Sequence, residues 1–160
     1  MTNLEKLSAA ENPELISISG LENIPKLKSL NVEKTKIDSF DTVPDLPCLE
    51  ELNLTGCPIA KLDEIGKLIT LKKLSNLNLT ETPIAEEKGD DLKKEVLILL
   101  DGLNFKFFNG EEVSADDIAD AKNEKAERIK AAEEARKAAE EEAAAAAAEA
   151  AAKAAEEAGE

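Results

Sequence analysis

The 160-residue chain has no histidine, no tryptophan and no tyrosine, and four phenylalanines are its only aromatic residues. Without histidine there is no Ser-His-Asp or Cys-His arrangement and no imidazole base working near neutral pH. The two cysteines, Cys48 and Cys57, lack Cys-x-x-Cys spacing, which argues against a disulfide framework or a thiolate metal site and for inert thiols in a reducing compartment. Gly20, Gly56, Gly66, Gly89, Gly102 and Gly110 stand singly, so no glycine-rich phosphate cradle exists. No calcium-loop spacing occurs either. Positive charge is also scarce: 20 Lys and Arg face 35 Asp and Glu, for a net charge of −15. A nucleic-acid binder needs a basic face, so that class is excluded. An anionic membrane surface is disfavoured for the same reason. The opening MTNLEKLSAA holds no apolar run, so neither a secretory leader nor a membrane span is expected. The acidic pairs Glu50/Glu51, Glu86/Glu87 and Asp116/Asp117 have no convergent partner and read as solvated charge. No cofactor, metal, catalytic residue or small-molecule substrate is expected.

What the chain has is repetition. Residues 71–84 read LKKLSNLNLTETPI, residues 49–59 LEELNLTGCPI, residues 27–37 LKSLNVEKTKI and, more weakly, residues 4–15 LEKLSAAENPEL. The equivalent Leu7, Leu30, Leu52 and Leu77 recur every 22 to 25 residues. Self-similarity at that period marks a leucine-rich-repeat solenoid. The expected fold is therefore α/β, with a short curved parallel sheet of about four turns. Cys57 falls at the position of Thr35 and Thr82, where its S–H can bond a backbone carbonyl at the turn.

Each short strand alternates inward and outward residues. The outward columns are Ser8/Asn31/Asn53/Asn78, Lys6/Ser29/Glu51/Asn76 and Ala10/Glu33/Thr55/Thr80. Ser29, Asn31, Glu33, Glu51, Asn53, Thr55, Asn76, Asn78 and Thr80 are thus the candidate protein-binding residues of the concave face. That face is expected to be small, polar and mildly acidic, with no aromatic anchor and no arginine. In the first turn Ala9 replaces a leucine, and no polar cap precedes it. A solenoid turn cannot bury its face alone, which makes Leu4, Leu7, Leu15 and Ile18 a second candidate docking surface. The extra residues before Leu74 allow a longer convex helix in turn three.

Residues 85–114 read as a C-terminal cap: Leu92, Val96 and Leu99 lie at helical spacing, followed by Phe105-x-x-Phe108-Asn109-Gly110 and Val113. Ser114-x-x-Asp117 is a capping box. From there to Ala158 the chain contains no glycine or proline and is dominated by Ala, Glu, Lys and Arg, which predicts one helix of about 65 Å. Glu124–Arg128 and Glu133–Lys137 are favourable i,i+4 pairs. Ile118 and Ile129 are its only large apolar residues, eleven apart and so on nearly one face, the candidate docking residues of the helix. No heptad core supports a coiled coil. The expected domains are 1–114, solenoid with its cap, and 115–160, the helix.

The repeats and the cap resemble the SDS22-like leucine-rich-repeat proteins, whose cap places a helix before Leu-x-x-Leu-Asp-Gly-x-x-Val. Here Phe105 and Phe108 replace both leucines and Asn109 replaces the aspartate. The run from cap to long charged helix is similar to leucine-rich-repeat proteins of ciliary axonemes, particularly radial spokes. The resemblance implies a non-enzymatic scaffold in a cytoskeletal assembly of a cilium or flagellum, with other subunits as partners. The alternative it leaves open is a soluble acidic regulator binding a phosphatase or a basic, histone-like protein.

Overall fold

The computed structural model describes residues 3–159. By internal contacts the chain divides into two units, Met1–Lys122 and Asn123–Glu160. The first unit therefore includes the opening turns of the long helix. The fold of this unit is the leucine-rich-repeat solenoid that the period predicts.

Four three-residue strands recur with the repeat: β1 (Lys6–Ser8), β2 (Ser29–Asn31), β3 (Glu51–Asn53) and β4 (Asn76–Asn78). They pair in parallel and in strict register, with Leu7 beside Leu30, Leu30 beside Leu52, and Leu52 beside Leu77. The leucine ladder is thus the spine of the core. Leu30, Leu52 and Leu77 are fully buried, as are Val32, Leu54 and Leu79 two residues on. Each strand is followed by a left-handed residue, at Glu11, Lys34, Gly56 and Glu81, with φ between 53° and 67°. That residue turns the chain out of the sheet. In the first three its amide bonds the next repeat: Glu11 to the Glu33 carbonyl at 2.8 Å, Lys34 to that of Thr55 at 2.7 Å and Gly56 to that of Thr80 at 2.9 Å.

A buried hydroxyl–thiol position follows each of these turns from the second on. The Thr35 hydroxyl donates to the Val32 carbonyl at 2.9 Å, and the Cys57 thiol to the same oxygen at 3.2 Å. The Thr82 hydroxyl donates to the Leu79 carbonyl at 2.6 Å and accepts the Ala85 amide at 3.3 Å. Cys57 and Thr82 are wholly buried. Thr82 satisfies the Leu79 carbonyl in the core, and Thr35 and Cys57 share that of Val32.

On the convex side turn three carries helix α1 (Leu62–Gly66), continued by a 3₁₀ turn at Lys67–Thr70. The Lys67 ammonium lies 2.9 Å from both Asp41 and Glu64. Glu64 also accepts the Phe40 amide at 2.7 Å. The lysine hydrogen bond first, and the Phe40 amide next, hold the Glu64 carboxyl below its ordinary range.

The cap holds α2 (Pro83–Lys88), N-capped by Thr82, and α3 (Asp91–Leu99), which buries Leu92, Val96, Leu97 and Ile98. It also contributes more sheet than the sequence pattern suggests. Strand β5 (Phe107–Phe108) continues the parallel ladder, placing Phe108 beside Leu77. An Asn109-Gly110 turn, both residues at positive φ, folds back into β6 (Glu111–Glu112), antiparallel to β5. Asn-Gly is the residue pair such a two-residue hairpin demands. Asn109 Oδ1 then accepts the Leu79 amide at 2.7 Å, closing the ladder.

Helix α4 (Ala115–Glu157) starts from the predicted capping box. The Asp117 amide donates to Ser114 Oγ at 3.1 Å, and the Ser114 amide to Asp117 Oδ2 at 2.9 Å. Lys93 of α3 reaches the same carboxylate at 2.8 Å. The Lys93 bond, then those from Ser114, lower the Asp117 carboxyl to about 2. In the second unit the helical side chains are exposed from Ala126 onward, with ion pairs Glu124–Arg128 and Arg136–Glu140 along its face.

Candidate protein-interaction surface

The outward residues of β2–β5 line an open groove of about 380 Å³ on the concave face of the first unit. The sequence-predicted residues converge there. Ser29, Asn31, Asn53, Asn76 and Asn78 line the groove half-buried, and Glu51 lines it exposed. Glu33, Thr55 and Thr80 lie along the C-terminal ends of their strands, half-buried.

Local hydrogen bonds fix how the asparagines present themselves. Asn53 Oδ1 accepts the Thr55 amide at 3.1 Å and its hydroxyl at 2.6 Å. Asn78 Oδ1 does the same for Thr80, at 3.0 and 2.8 Å. Asn31 Oδ1 accepts the Glu33 amide at 3.0 Å. The Thr55 and Thr80 hydroxyls lie 3.1 Å apart. These turns anchor the oxygens and determine the amide orientation. The three Nδ2 groups are left as a column of donors with a fixed direction.

In the next column Asn76 Nδ2 donates to Glu51 Oε1 at 3.2 Å. Asn76 Oδ1 is out of solvent and has no partner among the described residues. Beside it stands Phe107, in register with Asn76 on one side and with Glu112 on the other. Phe107 is 43% exposed and lines the groove. The concave face therefore carries an aromatic residue, contrary to the sequence expectation. The reason is geometric: Phe108 takes the inward leucine position, so its neighbour must face the groove.

The second candidate surface is only partly a surface. Leu4, Leu7 and Leu15 are half-buried against the core, but Ile18 is 3% exposed and belongs to the core itself. Ile18 closes the turn from inside and offers nothing to a partner. The helix residues also part company. Ile118 packs half-buried against the core of the first unit, whereas Ile129, in the second unit, is 50% exposed. The α4 residue that buries is Ala121, at 2% exposure, one alanine among many and so unmarked in the sequence.

Among the described residues no group of three or more His, Cys, Asp or Glu side chains is placed to hold a metal ion. No helix among them is long and apolar enough to cross a membrane.

No protein-family profile matches the sequence. Individual proteins do. Over 121 residues the chain is 36% identical to "Leucine-rich repeat-containing protein 23" of Xenopus tropicalis, matching 73% of this chain and 31% of that protein. It is 31% identical to the Homo sapiens protein of that name over 108 residues, 65% of this chain and 31% of the relative. It is likewise 31% identical over 119 residues to "Acidic leucine-rich nuclear phosphoprotein 32 family member A" of Drosophila melanogaster, 72% of this chain and 44% of the relative. The chain thus spans between about a third and under half of these relatives' lengths. Among solved structures, one from the Drosophila melanogaster SNF/U2A' complex matches with a TM-score of 0.64 at 18% identity, covering 79% of this chain and 74% of that one. At that identity the likeness concerns fold alone. The chain has the leucine-rich-repeat fold, and its sequence is similar to leucine-rich-repeat proteins over part of their length.

Proposed function

We propose that this protein is a non-enzymatic structural subunit of a large assembly, most specifically an axonemal complex of a cilium or flagellum such as a radial spoke. The observation that carries this reading is the continuity of cap and helix. The Ser114–Asp117 box and Lys93 fasten the start of a 43-residue helix to the solenoid, an order of parts resembling axonemal leucine-rich-repeat proteins. The concave groove and the Leu4, Leu7 and Leu15 side of β1 are the docking surfaces, and the helix is a strut or tether. Likeness to the SDS22-like class and to leucine-rich repeat-containing protein 23 supports the reading. The test is to tag the protein in a ciliated cell, isolate detergent-extracted axonemes and wash them in high salt. Retention with spoke components is the expected result. Recovery in the soluble fraction sinks the axonemal role. A point test accompanies it: Leu7→Glu with Leu15→Glu should abolish incorporation while the later turns stay folded.

A second reading is a soluble acidic regulator that binds a phosphatase or a basic protein. Two observations favour it: the exposed Phe107 beside carboxylates on the concave face, and the likeness to an acidic leucine-rich nuclear phosphoprotein. Under this reading the protein is soluble, and partner binding weakens in part as ionic strength screens the groove carboxylates.

A further inference from the structure

We infer that the concave groove receives a basic side chain of the partner, arginine in preference to lysine, laid on the Phe107 ring between the carboxylates of Glu51 and Glu112. This rests on the groove being a docking surface, and it adds the chemistry of what docks. Three observations converge on it. First, strand register places Glu51, Asn76, Phe107 and Glu112 in one row across β3 to β6. With adjacent strands about 4.8 Å apart, both carboxylates come within reach of a group stacked on the ring. Second, neither carboxylate has an ion-pair partner among the described residues: Glu51 accepts the neutral Asn76 amide. The nearby Lys93 ammonium is held by Asp117 at 2.8 Å and meets only the backbone oxygen of Glu112, at 3.4 Å. Lys6 stands at the far end of the row, on β1. Lys72, Lys73 and Lys106 border a separate hollow with Glu50 and Ser75. Third, the polar atoms the groove leaves open have opposite uses. The fixed Nδ2 groups of Asn31, Asn53 and Asn78 call for acceptors, such as partner backbone carbonyls. The Glu51 and Glu112 carboxylates, exposed on either side of Phe107 in the row, call for a donor. A guanidinium has five donors in a flat fork and stacks on aromatic faces, so it suits this row better than the compact lysine ammonium. The chain's net charge of −15 draws such partners in.

The test uses the full ¹⁵N-labelled chain and four probes: acetyl-Ala-Ala-Arg-Ala-Ala-amide and its lysine, citrulline and leucine counterparts. The arginine probe should shift the amides of Phe107 and Glu112 and the Asn76 side-chain amide, more tightly than lysine does. Citrulline keeps the shape without the charge and should bind at least about threefold more weakly, the scale of an exposed cation–π contact. Phe107→Leu, Glu51→Gln and Glu112→Gln should each weaken the arginine probe by about threefold or more, and Phe107→Tyr should preserve it. The inference is overturned if citrulline or leucine binds as well as arginine. It is equally overturned if the shifts gather on Glu140–Glu142 of the helix, or if Phe107→Leu changes nothing. None of these outcomes depends on where the protein resides in a cell, so failure here leaves the axonemal reading to its own test.

Discussion

Thr82 offers a test in which two accounts of the solenoid predict opposite orders. Its hydroxyl is wholly buried, donates to the Leu79 carbonyl at 2.6 Å and accepts the Ala85 amide at 3.3 Å. Thr82→Val keeps the volume and removes the hydroxyl. The Ala85 amide retains the Thr82 backbone carbonyl at 3.0 Å, so the main loss is the Leu79 oxygen left without its hydroxyl donor in the core. That costs about 2 kcal/mol. Thr82→Ser keeps both hydrogen bonds and loses one methyl, which costs about 1 kcal/mol. The expected order is wild type, then Ser, then Val. The assay must report on the first unit. The chain has no Trp or Tyr for fluorescence, and far-UV circular dichroism is dominated by the 43-residue α4. Native-state hydrogen exchange at the Leu54 and Ile84 amides, which bond the Asn78 and Ile59 carbonyls, reads the solenoid directly. Exchange in the valine variant should be about 30-fold faster than in wild type. If the serine variant exchanges faster than the valine variant, side-chain packing rather than the stranded carbonyl governs this position, and the hydrogen-bond account of Thr82 fails.

Other changes probe the turns, the cap and the helix start. Gly56 sits at φ +67°, and a Cβ there would meet Lys34 Cγ at 3.1 Å; Gly56→Ala should lower stability by about 1–2 kcal/mol. At the equivalent Glu81, φ 56°, Glu81→Gly should raise the melting temperature, with the gain held under about 1 kcal/mol by glycine's unfolded-state entropy. Phe108→Ala removes the last rung of the ladder, 4% exposed, and should cost about 3–5 kcal/mol in the same exchange assay. Asp117 supplies a pH test. Its carboxyl is lowered from 3.8 to about 2 by Lys93 and Ser114, so its contribution is complete above the unfolded value and disappears as pH falls through the folded one. With the side chain about a third exposed, solvent screening leaves about 1 kcal/mol. Wild type should therefore exceed Asp117→Asn in stability at pH 6, and the gap should close towards pH 2. A gap unchanged over that range would show that charge on Asp117 is irrelevant.

The leucine ladder was legible because its period is enforced by geometry. Leu7, Leu30, Leu52 and Leu77 must stack in register, and a one-residue slip would turn every one of them to solvent. The asparagine and threonine columns followed from the same alternation. Strand β5 was hidden because two phenylalanines stand where the repeat uses leucines, and because Asn109-Gly110 fits a cap motif as well as a hairpin turn. Missing β5 meant missing Phe107, since its orientation follows only once Phe108 is known to face inward. The turn at Glu11, Lys34 and Glu81 was equally hidden, because a left-handed residue that is not glycine leaves no mark in the sequence. The burial of Ala121 rather than Ile129 depends on which part of α4 meets the core, something composition does not encode.

Phe107 alters how the two functional readings are separated. A polar, mildly acidic groove would have made salt a clean divider, since charge-driven contacts fade beyond about 8 Å at physiological ionic strength and apolar docking does not. A groove that combines a ring, three fixed amide donors and two carboxylates responds to salt only in part. High salt screens Glu51 and Glu112 but leaves stacking on Phe107 and the Asn31, Asn53 and Asn78 amides engaged. Docking through Leu4, Leu7 and Leu15 is insensitive to salt altogether. Partial loss of binding in salt that vanishes in Glu51→Gln/Glu112→Gln would therefore place the partner in the groove. Salt-independent binding abolished by Leu7→Glu would place it on the first turn. An assembly subunit can use both surfaces at once, and a soluble regulator needs only the groove, so the number of surfaces engaged discriminates between the readings more sharply than salt resistance alone.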